Sequence, residues 1–437
     1  MANYPEYFNP DMELLSRPEI EALQLQKLKK TVEHCMNSAF YRQRFAEAHL
    51  KPEDIKSLDD LRRIPFTTKQ DLRNTYPFGM AAVPLEKCVR LHSSSGTTGN
   101  PTVILHTQKD LDMWANCMAR CMWMVGLRPT DVFQNSSGYG MFTGGLGMQY
   151  GAEKVGMLTV PAAAGNSRRQ IKFITDFGTT ALHAIPSYAT RLYEVMQEVG
   201  VDPRRDTKLK TLLIGAEPHT EEQRRRIEEM LGVKAYNSFG MSEMCGPSVA
   251  FECTNQNGMH IWEDYYIVEI VDPETLEPVP EGEVGEMVLT TLNREAMPML
   301  RYRTHDLTRI LPGPCPCGRV HKRLDRMKGR SDDMIILKGV NIFPMQIEQV
   351  LMQFKELSSQ YLITLYTTDD NDDMRVEVEL NEMTDDYNFL QNLTRQITLR
   401  LKDEILCTPK VKLLPKGTLP QQDGKAVRVK DERVHFA

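Results

Sequence analysis

His92-Ser93-Ser94-Ser95-Gly96-Thr97-Thr98-Gly99-Asn100-Pro101-Thr102 lies between two short apolar runs, the second being the β-branched Val103-Ile104-Leu105. Its glycines allow a tight turn, so that several backbone N–H groups can face one anion. The neighbouring hydroxyls add donors with little side-chain bulk. The alternative is a flexible Ser/Thr/Gly linker, although a linker is rarely this short or set between two strand-like runs. The Gly-Lys-Ser/Thr ending of a Walker loop is missing, which speaks against a P-loop NTPase or kinase.

Upstream, residues 19–36 carry apolar side chains at helical spacing, and Pro65, Pro77 and Pro84 interrupt the stretch between that helix and the loop. Downstream, strands and helices alternate. Thr107 is placed to cap a helix running to Val125, and Pro186 to open one ending at Gly200. Ser167 with Gln170, and Thr220 with Gln223, read as capping boxes. Apolar stretches at 211–214 and 233–236 fall between these helices, a pattern that favours α/β layers with parallel pairing. After Gly246 alternating segments at 265–271 and 286–291 predict a β-subdomain. From Gly329 the order becomes strand (334–337), helix (344–354), two strands around the acidic turn 369–373, helix (385–406) and strand (410–414). The chain is therefore expected to hold a large multi-layer α/β domain over 1–329 and a small α+β, ferredoxin-like lid over 330–437.

Length alone points to more than one compact unit for 437 residues. A net charge of −6 without a basic block argues against a nucleic-acid surface. No apolar run approaches membrane-spanning length. The start of the chain lacks the basic-then-apolar order of a signal peptide, so the expected location is cytoplasmic. In that reducing setting the nine cysteines are thiols or metal ligands, not disulfide staples.

The stretch 94–101 resembles the phosphate loop of the adenylate-forming superfamily, which holds acyl-CoA synthetases, adenylation domains and luciferases. Most members carry Lys where Thr102 stands, a departure similar to the phenylacetate–CoA ligase family. Further matches run in that family's order from about residue 60 to the end. Tyr139 to Gly147 resembles its acyl-pocket segment. Gly215-Ala216-Glu217-Pro218 and Tyr236-Asn237-Ser238-Phe239-Gly240-Met241-Ser242-Glu243 resemble its adenine- and magnesium-binding segments. Arg301-Tyr302-Arg303-Thr304-His305-Asp306 resembles the segment with the ribose-binding Asp, Gly329 to Met334 the interdomain hinge, and 417–429 the catalytic-lysine loop.

The resemblance implies an AMP-forming acid–thiol ligase that uses ATP, Mg²⁺ and coenzyme A. Ser94, Ser95, Gly96, Thr97, Thr98 and Gly99 would cradle phosphates, with Ser242 donating to the α-phosphate and Glu243 holding Mg²⁺. Gly215, Ala216, Glu217, Pro218, Asn237, Ser238, Phe239, Gly240 and Met241 would surround the nucleotide, with Phe239 stacked on the purine. Asp306 and Arg330 would take the ribose, Asp332 would be the hinge, Gly339 would line the path for coenzyme A, and Lys425 would be the catalytic lysine. Read without the family, Glu243, Asp306 and Lys425 are ordinary surface charges and Phe239 a core aromatic.

Tyr139, Phe142, Gly144, Gly145 and Ala184 describe a flat slot suited to an arylacetate; the glycines could equally serve close backbone packing. Cys253, His260, Cys315 and Cys317 form two short pairs, Cys-x6-His and a proline-stiffened Cys-x-Cys, which fit a closed tetrahedral zinc site. Free thiols are the rival, and His321 is the substitute ligand. Cys117 and Cys121, one turn apart among methionines, read as core. Two other readings stand beside the ligase: adenylation with delivery to a carrier-protein thiol or another acceptor, and a catalytically silent nucleotide-binding regulator. A homodimer is what the resemblance suggests.

Overall fold

The computed structural model describes residues 4–93, 101–338, 340–368, 371–382, 384–420 and 427–433. Two compact units emerge. The larger comprises 1–184, 195–216 and 233–326, the smaller 185–194, 217–232 and 327–437.

The larger unit is organised by a nine-stranded sheet. Leu158–Val160, Val132–Asn135, Ala181–His183, Thr211–Gly215 and Lys234–Met241 lie side by side and parallel. Gly246–Glu252, Met259–Ile261, Arg323–Leu324 and Ile310–Leu311 then continue it antiparallel. Parallel strands are buried on both faces, which is why Thr211–Gly215 reads as an almost unbroken apolar run. The alternating segments expected to form a β-subdomain pair in a second sheet: Tyr266–Val271 with Gly285–Thr291, and the latter with Tyr302–Thr308.

The helices follow their caps. Arg17–Cys35 begins at a Ser16–Glu19 capping box, and Gln108–Met124 at the Thr107–Asp110 box. Thr220 accepts from Gln223 N at the head of Glu221–Leu231, but the reciprocal bond of the expected box is missing: Gln223 Oε1 has no partner among the described residues. A second cap differs more. Ser167–Asp176 is capped by Asn166, whose left-handed backbone and side-chain oxygen serve Arg169 N. Gln170 is thereby freed to point inward, where Gln134 and Ser136 donate to its oxygen and it donates to Ala163 O. The glycine-rich segment expected to leave a flat slot forms the start of the helix Thr143–Val155.

In the smaller unit the strand–helix–strand–strand–helix–strand order appears, with one rearrangement. Ile335–Leu337 pairs with Val340–Ile342 in a hairpin of its own. The four-stranded sheet runs Lys410–Leu414, Asn371–Leu380, Leu357–Thr368, Val429–Asp431, the last strand lying parallel to Leu357–Thr368. Pro344–Leu351 and Tyr387–Ile405 pack Ile347, Leu351, Leu393, Ile397 and Leu401 into one core with Ile363 and Val376. Tyr361, Met352 and Met374 complete that core beside the aliphatic side chains.

Candidate functional site

Ligands of open α/β sheets bind beyond the carboxyl ends of the parallel strands. Asn135, His183, Gly215 and Met241 are those ends here. The antiparallel hairpin Cys88–Ser93 and Val103–Thr107, closed by a Ser93–Val103 pair, meets the loop that follows Asn135, where Ser93 N donates to Met141 O. The sequence-predicted phosphate residues Ser94, Ser95, Gly96, Thr97, Thr98 and Gly99, with Gly339 and Lys425, lie outside the described residues.

Asn135 organises the segment matched to the acid pocket. Its amide nitrogen donates to Tyr139 Oη (2.9 Å) and to Gly145 O (2.7 Å). Its oxygen accepts from His183 Nδ1 (3.1 Å) and Ser137 Oγ (2.9 Å). Every polar position of that amide is used, so its orientation is fixed. Burial pushes His183 down to about 4, leaving a neutral imidazole, and raises the Tyr139 phenol. Ala184 is fully buried next to His183. Phe142 is not brought to this cluster; it is 55% exposed at the head of the helix Thr143–Val155.

The two glycines of the slot divide. A Cβ on Gly145 would come 2.4 Å from Gly138 O, so Gly145 serves backbone packing. A Cβ on Gly144 would meet nothing within 4 Å.

The segments expected to bind nucleotide fold as strand ends. A Cβ at Gly215 would strike Ser238 Oγ at 2.3 Å, so the paired strands need glycine there. Ser238 Oγ donates to Ile214 O, Asn237 N donates to Glu252 Oε2, and Phe239 is half-buried. Glu217 receives hydrogen bonds from Ser187 N and Oγ, which caps the helix Pro186–Glu198. Asp306 sits half-buried in Tyr302–Thr308, its N–H donating to Thr304 Oγ1. Arg330 forms a bidentate pair with Asp332, both bonds 2.8 Å.

Glu243 is the unusual carboxylate. It lies on the short turn Ser242–Met244, is 5% exposed, and makes no ion pair among the described residues. Ser242 Oγ is 3.4 Å from Thr143 Oγ1. A buried acid without a cation is costly, so this position is one that a divalent ion would complete.

The Cys/His set converges on one point. The turn between Gly246–Glu252 and Met259–Ile261 brings Cys253 and His260 together, and Arg323–Leu324 pairs beside them. Cys253 Sγ lies 3.6 Å from Cys315 Sγ, Cys317 Sγ lies 3.3 Å from His260 Nε2, and all four ligand atoms fall within 4.8 Å of one another. His260 Nδ1 donates to His321 O at 3.2 Å, which aims Nε2 at the sulfurs. Hydrogen bonding from Cys253, and next His260, pulls the Cys317 thiol down, while Cys253 is pushed up. Such a set favours at least one thiolate. His321, the substitute ligand, is otherwise engaged: Nδ1 accepts from Glu263 N and Nε2 faces Met12 O.

Three features escaped the sequence reading: the Asn135 hub, Arg294, which donates to Glu243 O, and Tyr266, which donates to Met244 O. Asn135 closes a strand and Arg294 is one of 53 basic residues, so neither stands out in sequence.

Comparison with known proteins agrees with this architecture. A model described as AMP-binding enzyme matches residues 22–293, and one described as AMP-binding enzyme C-terminal domain matches 339–433. The phenylacetate–coenzyme A ligase of Pseudomonas putida is 44% identical over 97% of this chain and 96% of its own. That of Thermus thermophilus is 43% identical over 96% and 98%. The crystal structure of 2-hydroxyisobutyryl-CoA ligase in the postadenylation state, in complex with R3-HIB-AMP, superposes with a TM-score of 0.91 at 29% identity, covering 98% of this chain and 93% of that one. These matches define an AMP-binding enzyme with a large N-terminal and a small C-terminal part. Within that class the chain belongs to the phenylacetate–coenzyme A ligase family.

Proposed function

We infer that the chain is an ATP-dependent, AMP-forming ligase, which activates a carboxylic acid as acyl-adenylate and transfers the acyl group to coenzyme A. We propose further that the acid is phenylacetate or a close arylacetate, as the relatives' names suggest. The observation that carries the chemistry is Glu243, buried and without an ion-pair partner among the described residues, at the carboxyl end of the parallel strands. Magnesium held there would bring charge compensation to the polyphosphate. Ser242 would donate to the α-phosphate, Asp306 would accept the ribose hydroxyls, and Phe239 would face the purine. The division at 329/330, with Asp332 as hinge and Gly339 on the coenzyme A path, belongs to the same reading, as does the phosphate loop 94–99.

Pyrophosphate exchange with a panel of acids tests the first half-reaction, and coenzyme A-dependent release of AMP tests the second. Exchange without release to coenzyme A would redirect the reading to a carrier-protein acceptor.

For the acid, the walls are Tyr139, held by Asn135, and the open side of Gly144. An aromatic ring gains edge-to-face contact worth ~0.5–1.5 kcal/mol per pair beyond area burial. Acetate leaves that space empty. Gly144→Leu is expected to fold and to raise the Michaelis constant for arylacetates more than for acetate, by roughly 10-fold or more. Gly145→Ala instead strikes the Gly138 carbonyl and is expected to lower the melting temperature. Equal effects of Gly144→Leu on acetate and phenylacetate would remove the pocket assignment.

The four-residue Cys/His cluster is proposed to hold one structural zinc. Three sulfurs and one imidazole nitrogen at these separations leave no open position, so the metal supports the strand ends and takes no part in the reaction.

A further inference from the structure

The Glu243 turn is backbone under strain. It ends with Cys245 at φ 66° and Gly246 at φ 72°, two successive left-handed residues of which only one is glycine. Its flanks are closely packed, Met241 pairing with Gly246. A Cβ at Gly246 would meet Trp114 at 2.8 Å and Thr143 at 2.9 Å, and one at Gly240 would collide with Gly246 O. Two buried side chains then grip consecutive carbonyls: Arg294 Nη1 donates to Glu243 O, and Tyr266 Oη donates to Met244 O at 2.6 Å.

Tyr266 is an ordinary clamp, fully used and neutral. Arg294 is not. Its guanidinium is 1% exposed, has no carboxylate partner among the described residues, and leaves Nε and Nη2 without hydrogen bonds. His106 adds no second cation, since burial and then Arg294 itself hold its imidazole well below its usual value. A buried charge with one hydrogen bond is a poor way to stabilise a fold, because an apolar side chain of similar volume avoids the desolvation cost. Its return must come from what it positions.

We propose that Arg294 is a positioning residue for adenylation: it fixes the main chain of the Glu243 turn so that the Glu243 carboxylate meets the magnesium of ATP. This rests on the reading of Glu243 as the magnesium ligand. The guanidinium acts through the carbonyl and touches no reacting atom.

The test is the magnesium dependence of pyrophosphate exchange at saturating acid, measured with Arg294→Met, Arg294→Lys and Glu243→Gln in the full chain. Arg294→Met is expected to keep or raise the melting temperature while increasing the magnesium concentration for half-activation by roughly 10-fold, the scale of one lost charge-assisted hydrogen bond. The Michaelis constant for the acid should move less than twofold. Arg294→Lys should recover part of the shift, because an ammonium can still donate to the Glu243 carbonyl. Should Arg294→Met be unfolded, Arg294→Lys alone decides, with a smaller rise in the magnesium midpoint expected. An unchanged midpoint in a folded Arg294 variant, beside a raised one in Glu243→Gln, overturns the inference and leaves the magnesium reading intact. An unchanged midpoint in Glu243→Gln itself removes both.

Discussion

Lys425→Ala is expected to lose adenylation by ~10²-fold or more, the scale of one preorganised transition-state donor. The reasoning is one of charge. In the first half-reaction an anionic carboxylate attacks an anionic α-phosphate, and negative charge accumulates between them as the new P–O bond forms. The motif Asp423-Gly424-Lys425, in a segment that resembles the family's catalytic-lysine loop, offers the ammonium that would neutralise it. In the second half-reaction a thiol attacks the carbonyl carbon of acyl-AMP, charge gathers on the acyl oxygen and on departing AMP, and on the family reading the lid that carries Lys425 would by then have turned away from the α-phosphate. The lysine has less to neutralise there. Pyrophosphate exchange should therefore collapse while thioester formation from supplied acyl-AMP largely survives. Equal losses in the two assays would dismiss the lysine as an adenylation-specific group and would point to a folding or binding defect.

Much of the fold was legible because its signals are local. Thr107 and Thr220 each satisfy an N–H group three residues on, and such caps can be read from spacing. The buried strand Thr211–Gly215 showed itself as an apolar run between two helices. What misled was long-range. Asn166, not Ser167, caps its helix, and Gln170 turns inward to Gln134 and Ser136, partners about 35 residues away that no local pattern announces. In the small unit, the strand at 335–337 takes a hairpin partner that local order could not distinguish from a place in the larger sheet.

The site divides along the same line. Motif segments such as 236–243 were legible, since they are contiguous and carry unusual residue types for a strand end. The features that give those segments their shape come from elsewhere in the chain. Asn135 joins Tyr139, Gly145 and His183, and Arg294 reaches the Glu243 carbonyl across 51 positions. Glycines proved ambiguous for a related reason. Gly144 and Gly145 are adjacent and identical in sequence, yet one Cβ would face open space and the other a carbonyl oxygen. Only the helix that carries them sets which is which.

Zinc removal is the second large effect expected, and it should appear in stability rather than in catalysis. Purified chain should carry about one zinc, as a closed four-ligand site predicts. The ligands come from a strand-end turn and from the Cys315–Cys317 knuckle, where Gly318 N donates back to Cys315 O and Tyr7 Oη donates to Cys317 O. Metal at that junction would tie three antiparallel strands of the large sheet to the knuckle. A ligand bound only by the native state stabilises it by about 4 kcal/mol at a thousandfold excess over its dissociation constant. Each kcal/mol moves the midpoint of a mid-sized domain by ~2–4 °C, so Cys315→Ser should lower the melting temperature by about 5 °C or more. Metal content should fall with it. Without metal, three sulfurs packed around His260 must share protons among themselves, and lowering the pH would protonate the thiolate and weaken binding in the wild-type chain. Acid preference should not move, because in the proposed pocket the ratio of efficiencies across acids would depend on the walls at Tyr139 and Gly144. A metal-free preparation melting at the same temperature as the zinc-loaded chain would return the four residues to the rival reading of free, packed thiols.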